Sequence, residues 1–481
     1  MALPNLQISP ANATHHNMEH VHFIGIGGAG TSGLAEILLM RGIRVSGSDL
    51  VRSQKTDELE TLGASIKEGH KAEHIDGADV VVYSSAVHSE NPELIEAIRR
   101  GIRTVRRAEF MAELLKDHKT IAVAGTHGKT TVTSMIASIL IEAKLDPLVL
   151  VGASVRELAN KNSRAGTGKI AVVEADEYDR SFLALSPFIA VMTSLEEEHL
   201  DIYKDLDDLK QTFVQFANQG PSTFMTGFAV VCIDEPALRA ITPRLEKRIV
   251  AYGLSSQDAK YRAVHPQYSA HRTRATLLRG GEKIGELELS VPGEHNLKNA
   301  LAAVAVGEIL SIPFEISQRA LKRFSGADRR FQITGEVDGV LVIDDYAHHP
   351  TEVRATLETV KRCYPGRRII ACFQPHTFTR TRDFAVQFGH VFAELADVLA
   401  LLEIYPSREE PIEGITSRLI LDSARENGLK EGFEVPGVTE LPAIIGNIVR
   451  PGDVILTIGA GTITSAAPII LEELTQHAVA A

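Results

Sequence analysis

The stretch from Lys119 to Thr131, Lys-Thr-Ile-Ala-Val-Ala-Gly-Thr-His-Gly-Lys-Thr-Thr, leaves this chain few folds to choose from. An apolar run enters a short turn with glycines at 125 and 128, and Lys129, Thr130 and Thr131 lead into a helix-like segment from Val132 to Glu142. Strand, glycine turn and helix in that order make a phosphate cradle. Glycines let backbone N–H groups face an anion, the helix N-terminus adds the positive end of its dipole, and the lysine reaches the outer phosphates. The Thr130 hydroxyl suits Mg²⁺. The loop is shorter than the usual P-loop: that motif's first glycine would fall at Val123, and the first one present is Gly125. Taken alone, the stretch predicts binding of ATP or GTP.

A second glycine turn lies upstream. The strand-like His20-Val-His-Phe-Ile runs into Gly25, Gly27 and Gly30 in Gly-x-Gly-x-x-Gly spacing. A helix from about Ser32 to Arg41 and a strand from Arg44 to Ser48 follow, ending at Asp49, where a dinucleotide fold places its ribose-binding acid. Asp79 to Ser84 reads as a buried strand and Glu93 to Arg100 as a helix, so β-then-α units imply a parallel, doubly wound sheet. Ser84, Ser85 and Ala86 follow a strand end, where such sheets bind ligands.

Beyond the first cradle, a strand from Lys169 to Val173 ends in Glu174-Ala-Asp-Glu177, and one from Phe188 to Thr193 ends in Ser194-Leu-Glu-Glu-Glu-His199. Three strand ends thus offer Lys129 with Thr130, Glu174, and His199. The acid and hydroxyl suit Mg²⁺, for which histidine is a less usual ligand. Asn296, ahead of the apolar helix Leu301 to Leu310, suits a helix cap or a base-edge contact. Arg329 and Arg330, just after Gly326, suit a solvated basic turn or an arginine that swings onto phosphate. Another open parallel sheet follows. Its strands Val340 to Ile343, Arg368 to Phe373, Asp397 to Leu402 and Asp453 to Ile458 have polar residues gathered at their ends, among them Tyr346, His348, His376 and Arg380.

A length of 481 residues fits about three domains. The net charge of −12 argues against nucleic acid as a partner, so any polyanion must be held by local cradles or magnesium. Three scattered cysteines, no apolar run of membrane-spanning length and a polar N-terminus predict a cytoplasmic protein without a membrane partner. Residues 1–19 read as a flexible tail whose His15 and His16 are solvated. A monomer or homodimer is expected. Two cradles plus a domain offering His, Tyr and Arg most simply suit a ligase: phosphorylation turns a poorly electrophilic carboxylate into an acyl phosphate that an amine can attack.

In these motifs, together with Glu198-His199-Leu-Asp201, His295-Asn296, Asp344 to Glu352 and Phe373-Gln-Pro-His376, the chain resembles the Mur ligases of bacterial peptidoglycan synthesis. The resemblance spans nearly the whole sequence. It implies an α/β protein of three domains: a Rossmann-like N-terminal domain at 20–116 for a UDP-sugar, a central P-loop ATPase-type domain at 117–325 for ATP, and a Rossmann-like C-terminal domain at 326–481 for an amino acid. Within the family it points to the branch that joins L-alanine to UDP-N-acetylmuramate, with ATP and Mg²⁺.

Carried over by motif, Gly125, Thr126, His127, Gly128, Lys129, Thr130 and Thr131 would cradle ATP, with His295 and Asn296 at the adenine and Arg330 and Asp345 reaching the nucleotide. Thr130 and Glu174 would hold one Mg²⁺, and His199 would help hold a second. Gly27, Gly28, Ala29, Asp49, His70, Ser85 and Arg107 would line the UDP-sugar site, and Tyr346, His348, His376 and Arg380 would surround L-alanine and the acyl phosphate. Lys129, His199, Arg330, His348 and Arg380 are the implied catalytic set. Two departures stand out: Thr377 where many members carry arginine, and Ala347 where glycine is expected. The stretch Thr212 to Phe216 lacks the lysine that several other members carbamylate, which fits the alanine-adding branch. The rival readings are a ligase that attaches a recycled tripeptide to the same sugar nucleotide, a nucleotide-binding dehydrogenase, and a regulatory NTPase.

Overall fold

The computed structural model describes residues 18–199, 202–220 and 227–480; most of the expected tail, with His15 and His16, and Asp201 lie outside the described residues. Three sheets follow one another along the chain. The first is five-stranded and wholly parallel, in the order Ser65–Glu68, Arg44–Asp49, His20–Ile24, Val80–Tyr83, Arg103–Arg106. Its order reverses between His20–Ile24 and Val80–Tyr83, which opens a crevice beyond their C-terminal ends. The glycine turn sits there. The helix after it spans Ala29–Met40, three residues ahead of the expected Ser32 start, because Gly28 is extended and the turn ends there.

The second sheet has ten strands. Its parallel centre holds Phe228–Cys232, Ile189–Met192, Lys119–Ala124, Ile170–Glu174 and Leu148–Val155 as neighbours, so the cradle strand lies between the two strands that carry the acids. At its far edge, Arg272–Arg279 and Glu282–Leu289 form an antiparallel extension. Alternating burial along Arg272–Arg279 marks a sheet with one solvated face. The third sheet is six-stranded, in the order Gln332–Val337, Val340–Asp345, Val454–Ile458, Ile369–Phe373, Val398–Leu402, Glu431–Val435. It is parallel except at its first edge. Its central strands are buried along their whole length because helices cover both faces.

The first two sheets share one continuous apolar core. Helix Ala29–Met40 packs on the strands of the second sheet so closely that a Cβ at Gly33 would lie 3.0 Å from Leu150. The third sheet has separate cores on its two faces. No helix among the described residues is long and apolar enough to cross a membrane.

Under the first crevice lies a buried polar cluster. Glu93, fully buried, accepts hydrogen bonds from Ser48 Oγ at 2.7 Å and Lys71 N at 3.2 Å, and meets the rings of His22 at 2.9 Å and His74 at 3.0 Å. Burial alone would raise its pKa; the bonds from His22, Ser48 and His74 outweigh that and hold it at about 2. A carboxylate whose folded pKa lies below its unfolded value adds stability above the unfolded value and loses it as pH falls toward the folded one. The shift corresponds to stabilisation on the order of 3 kcal/mol at neutral pH. Replacement Glu93→Gln is expected to lower unfolding stability at pH 7, with the gap to the parent protein narrowing below about pH 4.5. Urea unfolding at pH 7 and pH 3.5 checks this; a gap that does not change with pH would contradict it.

Candidate active site

Gly125 and Gly128 take φ of +144° and +81°. A Cβ at Gly125 would lie 2.1 Å from Thr193 Oγ1, so only glycine fits that turn. The helix that follows is Lys129–Glu142, starting directly at the lysine rather than at Val132. Lys129 Nζ donates to Gly125 O at 2.7 Å and to both oxygens of buried Glu177 at 2.7 and 2.9 Å. Burial opposes the lysine's charge, but Glu177, with Asp176 and Glu198, outweighs it and raises the ammonium pKa above its ordinary value. Thr130 Oγ1 donates to Glu174 at 3.0 Å, and the Gly152 amide fixes the same carboxylate at 2.8 Å. Burial raises the Glu174 pKa despite Lys129 nearby, so this hydroxyl–carboxylate pair is an oxygen donor set that a hard divalent cation would stabilise as a carboxylate.

His199 sits apart from that pair. Its backbone takes φ +54°, and its Nε2 lies 3.7 Å from Glu177 and 4.0 Å from Glu198. It therefore groups with Glu177 and Glu198, while Thr130 and Glu174 form their own contact.

The third sheet brings the remaining groups. Arg380, in the helix Phe378–Leu395, reaches across to Glu198 at 2.8 Å and donates to His376 Nδ1 at 3.1 Å. That donation leaves the His376 proton on Nε2, since arginine cannot accept. His348 meets His376 edge-on at 5.7 Å and Tyr346 at 5.2 Å between ring centres. Burial lowers the His348 pKa to about 3, with Glu352 opposing and Arg380 reinforcing; burial and then Arg380 lower that of His376 to about 4. Both rings are neutral at neutral pH; His348 donates Nδ1–H to the Tyr346 carbonyl at 3.0 Å, which leaves its lone pair on Nε2.

Arg330 lies over the Tyr346 ring at 5.2 Å. Asp345 accepts from the amides of Phe331 and Ala347, each at 2.8 Å, and burial lifts its pKa to about 6 against the pull of Arg330. Ala347 is buried without positive φ, so its methyl is accommodated. Thr377 instead takes φ +71° at the cap of the Arg380 helix.

Two cavities flank these groups. One of about 990 Å³ brings together Gly27, Gly28, Ala29, Asp49, His70, Ser85 and Arg107, and extends to Gly152, Glu174 and Asp176 of the second sheet. Within it Asp49 accepts from the Gly27 amide at 2.8 Å. The other, about 240 Å³, is walled by His127, Gly128, Thr131, His295, Asn296, Arg330 and Asp345. Asn296 does not cap its helix: Gly293 holds that place with φ +101°, and the Asn296 amide donates back to Pro292 O at 2.7 Å. His127 joins the second and third sheets, its ring 3.2 Å from Glu352 and 4.9 Å from the His349 ring. Burial would lower its pKa, but Glu352, Glu196 and Glu198 push it up to about 10.

Glu177, Glu198 and Glu352 are buried or nearly so, and each faces a cation of the site. Sequence reasoning assigned none of them a role. The signal for them is their place in the motifs Glu174 to Glu177, Glu198 to Asp201 and Asp344 to Glu352.

Residues 20–119 match the Mur ligase family catalytic domain, residues 123–307 the Mur ligase middle domain, and residues 329–461 the Mur ligase glutamate ligase domain. The chain is 47% identical to the UDP-N-acetylmuramate–L-alanine ligase of Salinibacter ruber, over 95% of each chain. It is 45% identical to that of Geobacter sulfurreducens, over 95% of this chain and 98% of the relative. The chain belongs to the Mur ligase family. Among solved structures, the UDP-N-acetylmuramate-alanine ligase of Thermotoga maritima matches with a TM-score of 0.82 at 29% identity, over 95% of this chain and 99% of that one. A murein peptide ligase from Psychrobacter arcticus matches at 0.69 and 25%, over 95% and 98%. The three Mur ligase domain matches fall in the same order as the three sheets.

The buried Lys129–Glu177 pair allows a direct check. Removing one charge of a buried pair leaves the other uncompensated, at a cost of roughly 3 kcal/mol or more. Glu177→Gln is expected to destabilise this Mur ligase by that amount, and adding Lys129→Met should restore most of it. Urea unfolding of both variants decides; additive losses would show that the two charges do not act as a pair.

Proposed function

We propose that this Mur ligase joins L-alanine to the carboxylate of UDP-N-acetylmuramate, converting ATP to ADP and phosphate. The observation that carries the reading is the opening of two cavities at neighbouring strand ends of the second sheet, beside which the third sheet places two neutral histidines and an arginine. The 45–47% identity to alanine-adding relatives over 95% of the chain supports the same assignment. On this reading residues 20–116 hold the sugar nucleotide, 117–325 hold ATP, and 326–481 hold L-alanine, in the cytoplasm.

On this reading ATP takes the smaller cavity, with its base near His295 and Asn296 and its phosphates along Gly125 to Thr131, of which His127, Gly128 and Thr131 line that cavity. Lys129 and the loop amides steady charge on the transferred phosphoryl group. Thr130 and Glu174 would hold Mg²⁺, with His199 adjoining, and the ion would neutralise phosphate charge during transfer. The muramoyl carboxylate takes the phosphoryl group and becomes an acyl phosphate. Arg380 then balances the oxyanion that forms as the alanine amine attacks the acyl carbon, phosphate leaves with the electrons of the broken C–O bond, and neutral His348 takes the amine proton.

The tripeptide-recycling alternative has the weaker structural support, 0.69 against 0.82 in TM-score. A dehydrogenase gives Lys129 and Thr130 no task.

Phosphate release with Mg²⁺-ATP should require both UDP-N-acetylmuramate and L-alanine. Release that is independent of the sugar nucleotide would refute the assignment. Lys129→Ala should cut turnover by roughly a thousandfold or more, in line with loss of a phosphoryl-transfer cation. Its affinity for the sugar nucleotide, measured by calorimetry, should stay within about threefold because the two cradles belong to different sheets.

A further inference from the structure

The large cavity has walls from three sheets, and the third contributes a single residue, Arg408. Its guanidinium makes no hydrogen bond or ion pair among the described residues. The other arginine in that wall, Arg107, lies over the first glycine turn, 2.6 Å from where a Cβ on Gly30 would be. Asp49, Glu90, Glu174 and Asp176 share the same walls. A sugar nucleotide with a pyrophosphate and a carboxylate therefore enters a cavity rich in acids, and each of its anionic groups needs a cation to face.

The turn that carries Arg408 is anchored on both sides. The Tyr405 amide donates to Pro375 O at 2.9 Å, and the Thr377 amide donates to Tyr405 O at 3.0 Å. The Tyr405 ring stacks on His376 with 5.8 Å between centres, and Gly461 is so close that a Cβ there would lie 2.6 Å from that side chain. The Glu409 carboxylate takes the Thr379 amide at 2.9 Å. Between these anchors Ser407 takes φ +56° and turns the chain at Arg408. The turn is thereby fixed to the strand end that carries His376 and to the start of the helix that carries Arg380.

We propose that Arg408 contacts substrate: it binds an anionic group of the sugar nucleotide, so that this substrate braces the third domain against the first two. The inference rests on the function proposed above. A guanidinium fork suits either anion, the pyrophosphate or the muramoyl carboxylate. Bound sugar nucleotide would then hold the His376 strand end and the Arg380 helix at the place where the acyl phosphate forms.

The test compares Arg408→Ala and Arg408→Lys with the parent enzyme, each first checked for unchanged thermal unfolding. Calorimetry measures binding of UDP-N-acetylmuramate and of UDP-N-acetylglucosamine, which lacks the carboxylate; steady-state kinetics give KM for all three substrates. Arg408→Ala should weaken UDP-N-acetylmuramate binding roughly tenfold or more, as expected for a lost charged hydrogen bond. The KM values for ATP and L-alanine should stay within about twofold, and lysine should recover part of the loss. Equal loss for both sugar nucleotides assigns the pyrophosphate, and loss for the muramate alone assigns the carboxylate. Unchanged binding of UDP-N-acetylmuramate in the folded alanine variant, or an equal rise in all three KM values, would overturn the proposal while leaving the ligase assignment intact. A parent enzyme that neither binds nor turns over UDP-N-acetylmuramate would overturn both.

Discussion

The ion pair between Glu198 and Arg380, 2.8 Å apart and nearly buried, is where the site becomes whole. Glu198 follows a strand of the second sheet and Arg380 begins a helix of the third. The first two sheets share one apolar core, so their relative position is set by packing. The third is filled on both faces by its own cores, and polar contacts attach it: Thr351 to Glu196 at 2.6 Å, Arg362 to Glu294 at 2.9 Å, His127 beside Glu352. Interfaces of that kind favour relative domain motion, and buried charge pairs offset their desolvation only when geometry is close. The third domain's seat on the site is thus an electrostatic matter, open to influence from any anion that binds between the sheets.

The same economy of charge explains how a chain of net charge −12 handles polyanions. The cations of the site are buried singly, each against a carboxylate. Lys129 faces Glu177, Arg380 faces Glu198, and His127 faces Glu352. Each carboxylate keeps its cation charged and fixes its direction before any substrate arrives. Preorganised charges of this sort stabilise a transition state without reorganising during the reaction. His348 and His376 are the opposite case, rings kept neutral by burial beside an arginine.

Much of this was legible in the sequence because its physics is local. Glycines with positive φ, strand ends and the first turns of helices leave marks in consecutive residues, and Gly125 to Thr131 or Gly25 to Gly30 can be read without knowing what lies across from them. The sheets followed from β-then-α alternation, and all seven residues expected at the sugar nucleotide line one cavity. What could not be read was pairing across the fold. Glu177 and Glu198 sit in runs of acids where each neighbour looks alike, and only the tertiary structure selects which one meets Lys129 or Arg380. His199 was expected to help hold a second metal because it follows a strand next to the cradle strand, and only its left-handed backbone shows that it turns toward Glu177. Asn296 resembled a cap because asparagine favours that place, but Gly293 reaches a conformation that asparagine rarely adopts. The antiparallel extension at Arg272–Arg279 carries no motif, and its alternating pattern acquires meaning only once the sheet is known.

With the two cavities at neighbouring strand ends, a phosphoryl group passes from the nucleotide to the sugar's carboxylate before the amine attacks. The most direct measurement is to supply UDP-N-acetylmuramate with ¹⁸O in both carboxylate oxygens and weigh the phosphate released in a single turnover with ATP and L-alanine. An acyl phosphate leaves one ¹⁸O atom in each phosphate and the other in the new amide. Phosphate without label would mean that the carboxylate never accepts the phosphoryl group, and the account would fail.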